Sequence, residues 1–197
     1  MAAEIVDVSD SAQVTALAAR VAGRWPDLAT VINNAGVQHL ADFAAATGPL
    51  DATALSREVA VNLTGVIQVA NAFLPLLRKH PRSRLVNVGS GLGYVPLATA
   101  PVYSATKAAV HSFTMSLRRQ FEDSGTHIVE LVPPVVVTDL HRHLDQIPPR
   151  AMELDSFVAA AMAGLDAGDD EIVVGLAKAL RFFQRVAPSA GLAVVNR

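Results

Sequence analysis

Tyr103 and Lys107 stand four residues apart in Val102-Tyr103-Ser104-Ala105-Thr106-Lys107-Ala108-Ala109-Val110, an apolar, alanine-rich stretch with a helical pattern. Residues four apart on a helix are neighbours on one face. A phenol ionises near pH 10 and is a poor acid or base at neutrality; an ammonium within about 4–6 Å favours the phenolate and lowers that value. Thirteen residues before Tyr103, Ser90 follows the strand-forming run 84–88, within Gly89-Ser90-Gly91-Leu92-Gly93. A phenol beside an ammonium, with a hydroxyl on the preceding loop, outlines a proton-transfer site.

Two more clusters accompany these residues. Asn33-Asn34-Ala35-Gly36 follows the apolar run 28–32, and its residue types suit a sharp turn and a close approach of backbone to a ligand. Asn62 is a polar residue on or near the apolar face of the helical pattern 51–80. Each feature taken alone has a plainer reading. Tyr103 and Lys107 could be an exposed pair, Asn62 a hydrogen-bonded core asparagine, and 33–36 only a turn.

The chain has 197 residues, enough for one domain with a sizeable core, and no linker divides 1–197. Apolar residues make up 51% of it, which excludes a disordered chain. The net charge is −2 and acids and bases are mixed, so nothing points to a nucleic-acid or anionic-membrane partner. Without cysteine there is no disulfide framework, thiolate nucleophile or zinc–thiolate site. No secretory signal pattern opens the sequence. Gly, Asn or charged residues interrupt every apolar stretch, so no transmembrane helix is expected, and a cytoplasmic protein is the default. His141 and His143 are two apart and do not share a helix face. His39, His80, His111 and His127 are scattered, so no metal site is expected.

These residues need elements to hold them. A helix over 12–25 starts after Ser9 or Asp10. A continuous apolar run at 28–32 reads as a strand buried on both faces, and 84–88, 127–132 and 171–174 read as further strands. Helical patterns lie at 51–80, where Pro75 marks a kink or a new turn, at 101–124, at 155–167 and at 176–186, with a loose tail beyond. Strand and helix alternate, which argues an α/β fold: a Rossmann-like parallel sheet with helices on both faces. Ligands of such sheets bind beyond the carboxyl ends of the strands. The clusters at 33–36, at Ser90 and at 133–138 all follow strand ends and so share one rim.

In these motifs the chain resembles the short-chain dehydrogenase/reductase superfamily, ordinary type. The matching residues are Asn33-Asn34-Ala35-Gly36, Asn62 in Val61-Asn62-Leu63-Thr64-Gly65, Ser90, and Tyr103-x-x-x-Lys107. Pro133-Pro134-Val135-Val136-Val137-Thr138 stands in for the family's Pro-Gly-x-Val-x-Thr. The resemblance implies transfer of hydride between NAD or NADP and an alcohol or carbonyl substrate. It makes Asn62, Ser90, Tyr103 and Lys107 the catalytic residues, with Tyr103 as the acid or base. Lys107 would bond the nicotinamide ribose, and Asn62 would hold a water linking Lys107 to solvent. Asp7, Asn34, Ala35, Gly36, Pro133, Val136 and Thr138 would touch the cofactor, Asp7 at its adenine. A dimer through helices 51–80 and 101–124 is expected on the same ground.

Family members begin with a strand, a turn Thr-Gly-x-x-x-Gly-x-Gly that approaches the cofactor pyrophosphate, and a second strand. The resemblance places this chain's start at a remnant of the third family strand, so the fold is expected to be N-terminally truncated. The strand 28–32 is then expected to be an apolar edge, with residues 4–8 pairing with it or the chain associating with another. Two functions of different classes fit: a dehydrogenase, or a catalytically incompetent scaffold or interaction protein. Loops 91–100 and 139–153 would line the substrate, with Leu92, Tyr94, Val95, Leu97 and Ile147 suggesting an apolar carbonyl compound. Tyr94 reads equally as substrate wall or as packing.

Overall fold

Four short runs of branched residues form the strands of one parallel sheet: β1 (Thr30–Asn33), β2 (Ser83–Val88), β3 (Thr126–Val132) and β4 (Glu171–Val173), paired in that order. The computed structural model describes residues 2–45, 50–141 and 150–196. Parallel neighbours need crossovers, and helices supply them. α1 (Ser11–Arg24) precedes β1, while α2 (Ala52–Val59) and α3 (Val66–Leu77) join β1 to β2. α4 (Pro101–Gln120) joins β2 to β3, and α5 (Leu154–Ala167) joins β3 to β4. α6 (Ala177–Val186) and α7 (Pro188–Val195) follow. Asp10 and Asp51 start α1 and α2, each accepting two backbone N–H bonds of the first turn.

The strands alternate their side chains between two faces. On one face Leu85 and Ile128 meet Leu74 and Leu77 of α3 and Leu117 of α4. On the other, Val86, Val129 and Leu131 meet Ala161 and Leu165 of α5. Helices on both faces of a parallel sheet are the expected α/β architecture.

Several local expectations are corrected. β1 is an edge strand among the described residues, as the expected truncation implies, and Ile32 is 51% exposed, so the run's local pattern of a strand buried on both faces does not hold. Residues 4–8 do not join the sheet. Val6 and Val8 pack instead among Val14, Val69 and Phe73 of α1 and α3. The helix over 51–80 is broken not at Pro75, which α3 carries in its interior, but by a π-helical turn at Ala60–Gly65. The tail is helix α7, pinned by Asn196, whose side chain donates to the Pro96 carbonyl at 3.1 Å. By length and composition Ala52–Leu77 could cross a membrane; half of its most apolar window is buried, and Val69, Phe73 and Leu76 pack with Val14 of α1.

The π-turn's last residue is glycine where Val8 lies against it: a Cβ there would stand 2.9 Å from Val8 Cγ2 and 3.1 Å from the Val8 carbonyl oxygen. Gly65→Ala should therefore cost about 1–3 kcal/mol in urea denaturation, with faster hydrogen exchange over residues 6–9.

Candidate functional site

The sheet register aligns four polar residues in one row: Asn33 with Asn87, Asn87 with Glu130, and Glu130 with Glu171. All four point to the face that α4 covers. Asn33 donates from Nδ2 to Asn87 Oδ1 at 2.8 Å, and Asn87 donates from Nδ2 to Thr114 Oγ1 at 3.0 Å. Glu130 Oε2 lies 2.6 Å from His111 Nδ1, and Glu171 accepts from the Tyr94 hydroxyl and from Arg181 Nη1. The hydrogen bond from Glu130 is the main cause that raises the His111 pKa.

Lys107, His111 and Thr114 form a stripe on α4, spaced four and three residues apart, and Tyr103 extends it one turn earlier. Tyr103 is 7% and Lys107 4% exposed, so the pair is not a surface pair. Lys107 Nζ donates to the Val88 carbonyl at 2.8 Å and sits 5.6 Å from the Tyr103 ring centroid. The sequence leads one to expect an ammonium that pulls the phenol down. The structure differs: burial pushes Tyr103 up to about 12, with Ser90 opposing and Glu58 adding to the rise. The ammonium faces a carbonyl rather than the phenol. Burial also brings Lys107 down to about 8, against the pull of Glu130. Tyr103 therefore holds its proton at neutral pH.

Asn62 lies in the π-turn, whose extra residue changes the phase of the helix. Its Oδ1 accepts from the Val37 N–H at 2.9 Å, and its Nδ2 donates to the Val37 carbonyl at 2.8 Å and to Thr106 Oγ1 at 3.3 Å. It fastens the loop after β1 to α4. A Cβ placed on Gly36 would lie 3.5 Å from Asn62 Oδ1 and 3.9 Å from Lys107 Nζ, which measures how closely these elements converge.

One cleft of about 1340 Å³ gathers Asn34, Ala35, Gly36, Ser90, Tyr103, Lys107, Pro133, Val136 and Thr138 on its wall. Three strand ends meet there, as the rim argument requires. The Gly91 N–H donates to the Pro133 carbonyl at 3.0 Å, tying the Ser90 loop to 133–138. Val136 bridges to Met152. Asn62 stands behind the wall. Asp7 is not part of the wall; its carboxylate accepts from the Ser9 N–H and hydroxyl. Of the expected substrate residues, Leu92 lines the cleft, whereas Tyr94 and Val95 are buried in the core against Val132 and Val173. Tyr94 is therefore packing, with its ring edge-on to His111 at 5.2 Å. Leu97 lines a separate hollow, and Ile147, His143 and the His141 side chain lie outside the described residues.

Sequence reasoning missed Glu58, His111, Glu130 and Glu171. Their signals were present: a carboxylate four residues before Asn62, a histidine four after Lys107, and one acid in the middle of an apolar strand. Glu58 is fully buried, and burial raises it. Its Oε2 lies 3.6 Å from His39 Nδ1, and neither atom has a hydrogen-bond partner among the described residues. His111, Glu130 and Glu171 hold ligand-type atoms within 4.8 Å of one another. Those atoms are engaged with each other, Tyr94 and Arg181, which makes them an ion-pair network.

Comparison with known proteins gives a consistent picture. The family model for short chain dehydrogenase matches residues 2–148. The chain is 35% identical over 178 residues to the uncharacterized oxidoreductase DltE of Bacillus subtilis, covering 89% of this chain and 70% of that protein. It is 39% identical over 135 residues to mouse estradiol 17-beta-dehydrogenase 2, but spans only 33% of it. A short chain dehydrogenase of Burkholderia cenocepacia in complex with NADP superimposes with a TM-score of 0.84 at 28% identity, over 99% of this chain and 80% of that one. One from Sphingobium yanoikuyae in complex with NADPH gives 0.79 at 26%, over 98% and 74%.

Two outcomes follow from this geometry. Asn62→Leu strands both backbone groups of Val37, so it should cost about 1–3 kcal/mol and speed hydrogen exchange at the Val37 amide. Lys107 binds its proton more weakly folded, at about 8, than unfolded, at 10.5. Between those values the unfolded chain holds a proton that the folded chain has lost, so this group makes stability rise with pH. Above pH 10, Tyr103 acts in the opposite sense, because its folded value is raised. Lys107→Met should remove the rise between pH 8 and 10 in denaturant melts.

Proposed function

The chain belongs to the short chain dehydrogenase family, and from that premise we propose that it moves hydride between NAD(P)(H) and an alcohol or carbonyl substrate, with Tyr103 as the acid or base. The observation that carries this reading is a buried, proton-bearing phenol on one cleft wall with Ser90 and Lys107, beside the strand-end turns 33–36 and 133–138. The cleft residues fit the nicotinamide end of such a cofactor. Asn34, Ala35 and Gly36 offer backbone with little side chain over it, and Pro133, Val136 and Thr138 face them across the cleft. When bound, the reduced nicotinamide supplies the hydride. The NADP and NADPH complexes of the structural relatives support that cofactor class.

In the reducing direction Tyr103 gives its proton to the substrate oxygen as the carbonyl becomes an alcohol. In oxidation it takes that proton back. Ser90 Oγ accepts from the Leu92 N–H at 3.1 Å, which holds the hydroxyl beside Tyr103, placed to donate to the substrate oxygen where charge develops. The Lys107 ammonium, one turn along α4 and 5.6 Å from the phenol ring centroid, steadies the phenolate only by turning from the Val88 carbonyl that it holds in the resting site. Leu92, Val137, Leu154, Phe157 and Leu180 give the cleft an apolar wall, in keeping with an apolar carbonyl substrate.

The rival reading, a non-catalytic scaffold, rests on the lack of a Thr-Gly-x-x-x-Gly-x-Gly turn within these 197 residues. Fluorescence titration with NADPH and NADH separates the two. The dehydrogenase reading expects saturable binding and reduction of apolar ketones. Tyr103→Phe should then lower turnover by roughly 10²–10⁴ with cofactor binding unchanged. Lack of binding to either nucleotide, or full turnover by Tyr103→Phe, would overturn it.

We extend the proposal to a homodimer through α2–α3 and α4. Val59, Ile67 and Met115 on these helices are 39%, 40% and 47% exposed, apolar area that a second copy would cover. Ile67→Glu with Met115→Glu should convert a dimer to a monomer in sedimentation. A monomeric wild type would refute the arrangement.

A further inference from the structure

The stripe on α4 does not stop at Lys107. His111 follows one turn later, and its Nδ1 is 2.6 Å from Glu130 Oε2. Glu130 is 1% exposed and sits mid-strand among apolar residues. Its carboxylate lies against Gly89: a Cβ there would stand 2.5 Å from Glu130 Oε1. The carbonyl of the preceding residue, Val88, holds Lys107 Nζ at 2.8 Å. Two adjacent residues thus meet a buried carboxylate and a buried ammonium. A buried charge is costly unless an opposite charge stands near it. Among the described residues Lys107 Nζ has one hydrogen-bond partner, a neutral carbonyl.

We propose that Glu130 is the buried counter-charge that positions the Lys107 ammonium, and that His111, one helical turn on, clamps Glu130 in place. The two are positioning residues, acting on Tyr103 only through Lys107. The inference rests on the dehydrogenase reading for its consequence in catalysis, but not for the charge coupling itself. The other groups facing the pair are Arg118 on α4, Tyr94 on the loop after β2, Glu171 on β4 and Arg181 on α6. Arg181 balances Glu171 at 3.0 Å, and Tyr94 donates to Glu171. His111 is left to Glu130. Glu130 in turn opposes the effect of burial on Lys107.

The chain has three lysines, Lys79, Lys107 and Lys178, so lysine labelled with ¹³C at Cε resolves Lys107 by NMR once Lys79→Arg and Lys178→Arg assign the others. Its titration midpoint in the otherwise unmodified chain should lie at about 8. Glu130→Gln keeps the shape and removes the charge, and should lower that midpoint by about one pH unit or more. His111→Gln keeps a donor for Glu130 and should leave the midpoint in place, whereas His111→Leu removes that donor and should lower it in the direction of Glu130→Gln. A purely structural role would not separate the two His111 variants by the donor they retain. Gly89→Ala, whose methyl displaces the carboxylate, should act in the direction of Glu130→Gln and stands in for it if that variant does not fold. An unmoved midpoint in Glu130→Gln, or a midpoint in His111→Leu that does not fall below that of His111→Gln, overturns the proposal. The pH profile of kcat/KM is a separate arm. If the NMR shifts appear while Tyr103→Phe remains fully active, the dehydrogenase reading fails and the counter-charge stands.

Discussion

Four polar side chains in one row of an otherwise apolar sheet set the strongest constraint in this molecule. Buried amides and carboxylates must find partners or cost more than the packing around them contributes. Asn33 and Asn87 satisfy each other and Thr114; Glu130 takes His111; Glu171 takes Tyr94 and Arg181. Two of these partners lie on α4. Apolar contacts through Leu117 seat the helix on the sheet, but such contacts are non-directional and tolerate sliding. The bonds to Thr114 and His111 fix where along the sheet α4 comes to rest. Lys107 and Tyr103, on the same stripe, reach the strand ends because of that placement.

Asn62 solves a related problem on the other side of the cleft. The loop after β1 has no neighbouring strand beside it among the described residues. Asn62 presents a carbonyl and an amide to Val37 and so imitates a paired backbone. An uninterrupted α-helix would carry its side chain at a different angle; the π-turn absorbs the difference. The cleft is therefore held on one wall by a helix locked to the sheet and on the other by a single side chain acting as a strand.

Much of this was legible in the sequence. The strand runs, the rim at their ends and the residues Ser90, Tyr103, Lys107 and Asn62 announce themselves by type and spacing, which are local properties. What was illegible depends on three dimensions. A periodicity of 3.6 does not reveal one extra residue in a turn, so it points to Pro75 rather than to residues 60–65. The acidity of Tyr103 depends on how deep it lies and on which way the Lys107 ammonium turns, and spacing fixes neither. The docking of α7 by Asn196 follows from what lies alongside, and no window of sequence contains that, whereas the edge position of β1 follows from the strands that the resemblance leaves out. Glu130 is the intermediate case. A lone acid inside an apolar strand is a visible anomaly, but only the sheet register shows that it belongs to a row.

The contact between Gly89 and Glu130 bears on how this site can change. A side chain at 89 and a carboxylate at 130 claim the same few ångströms. Any side chain at 89 would have to turn the carboxylate aside, and with it the partner of His111, so the two positions, forty-one apart in the chain, answer physically to one another.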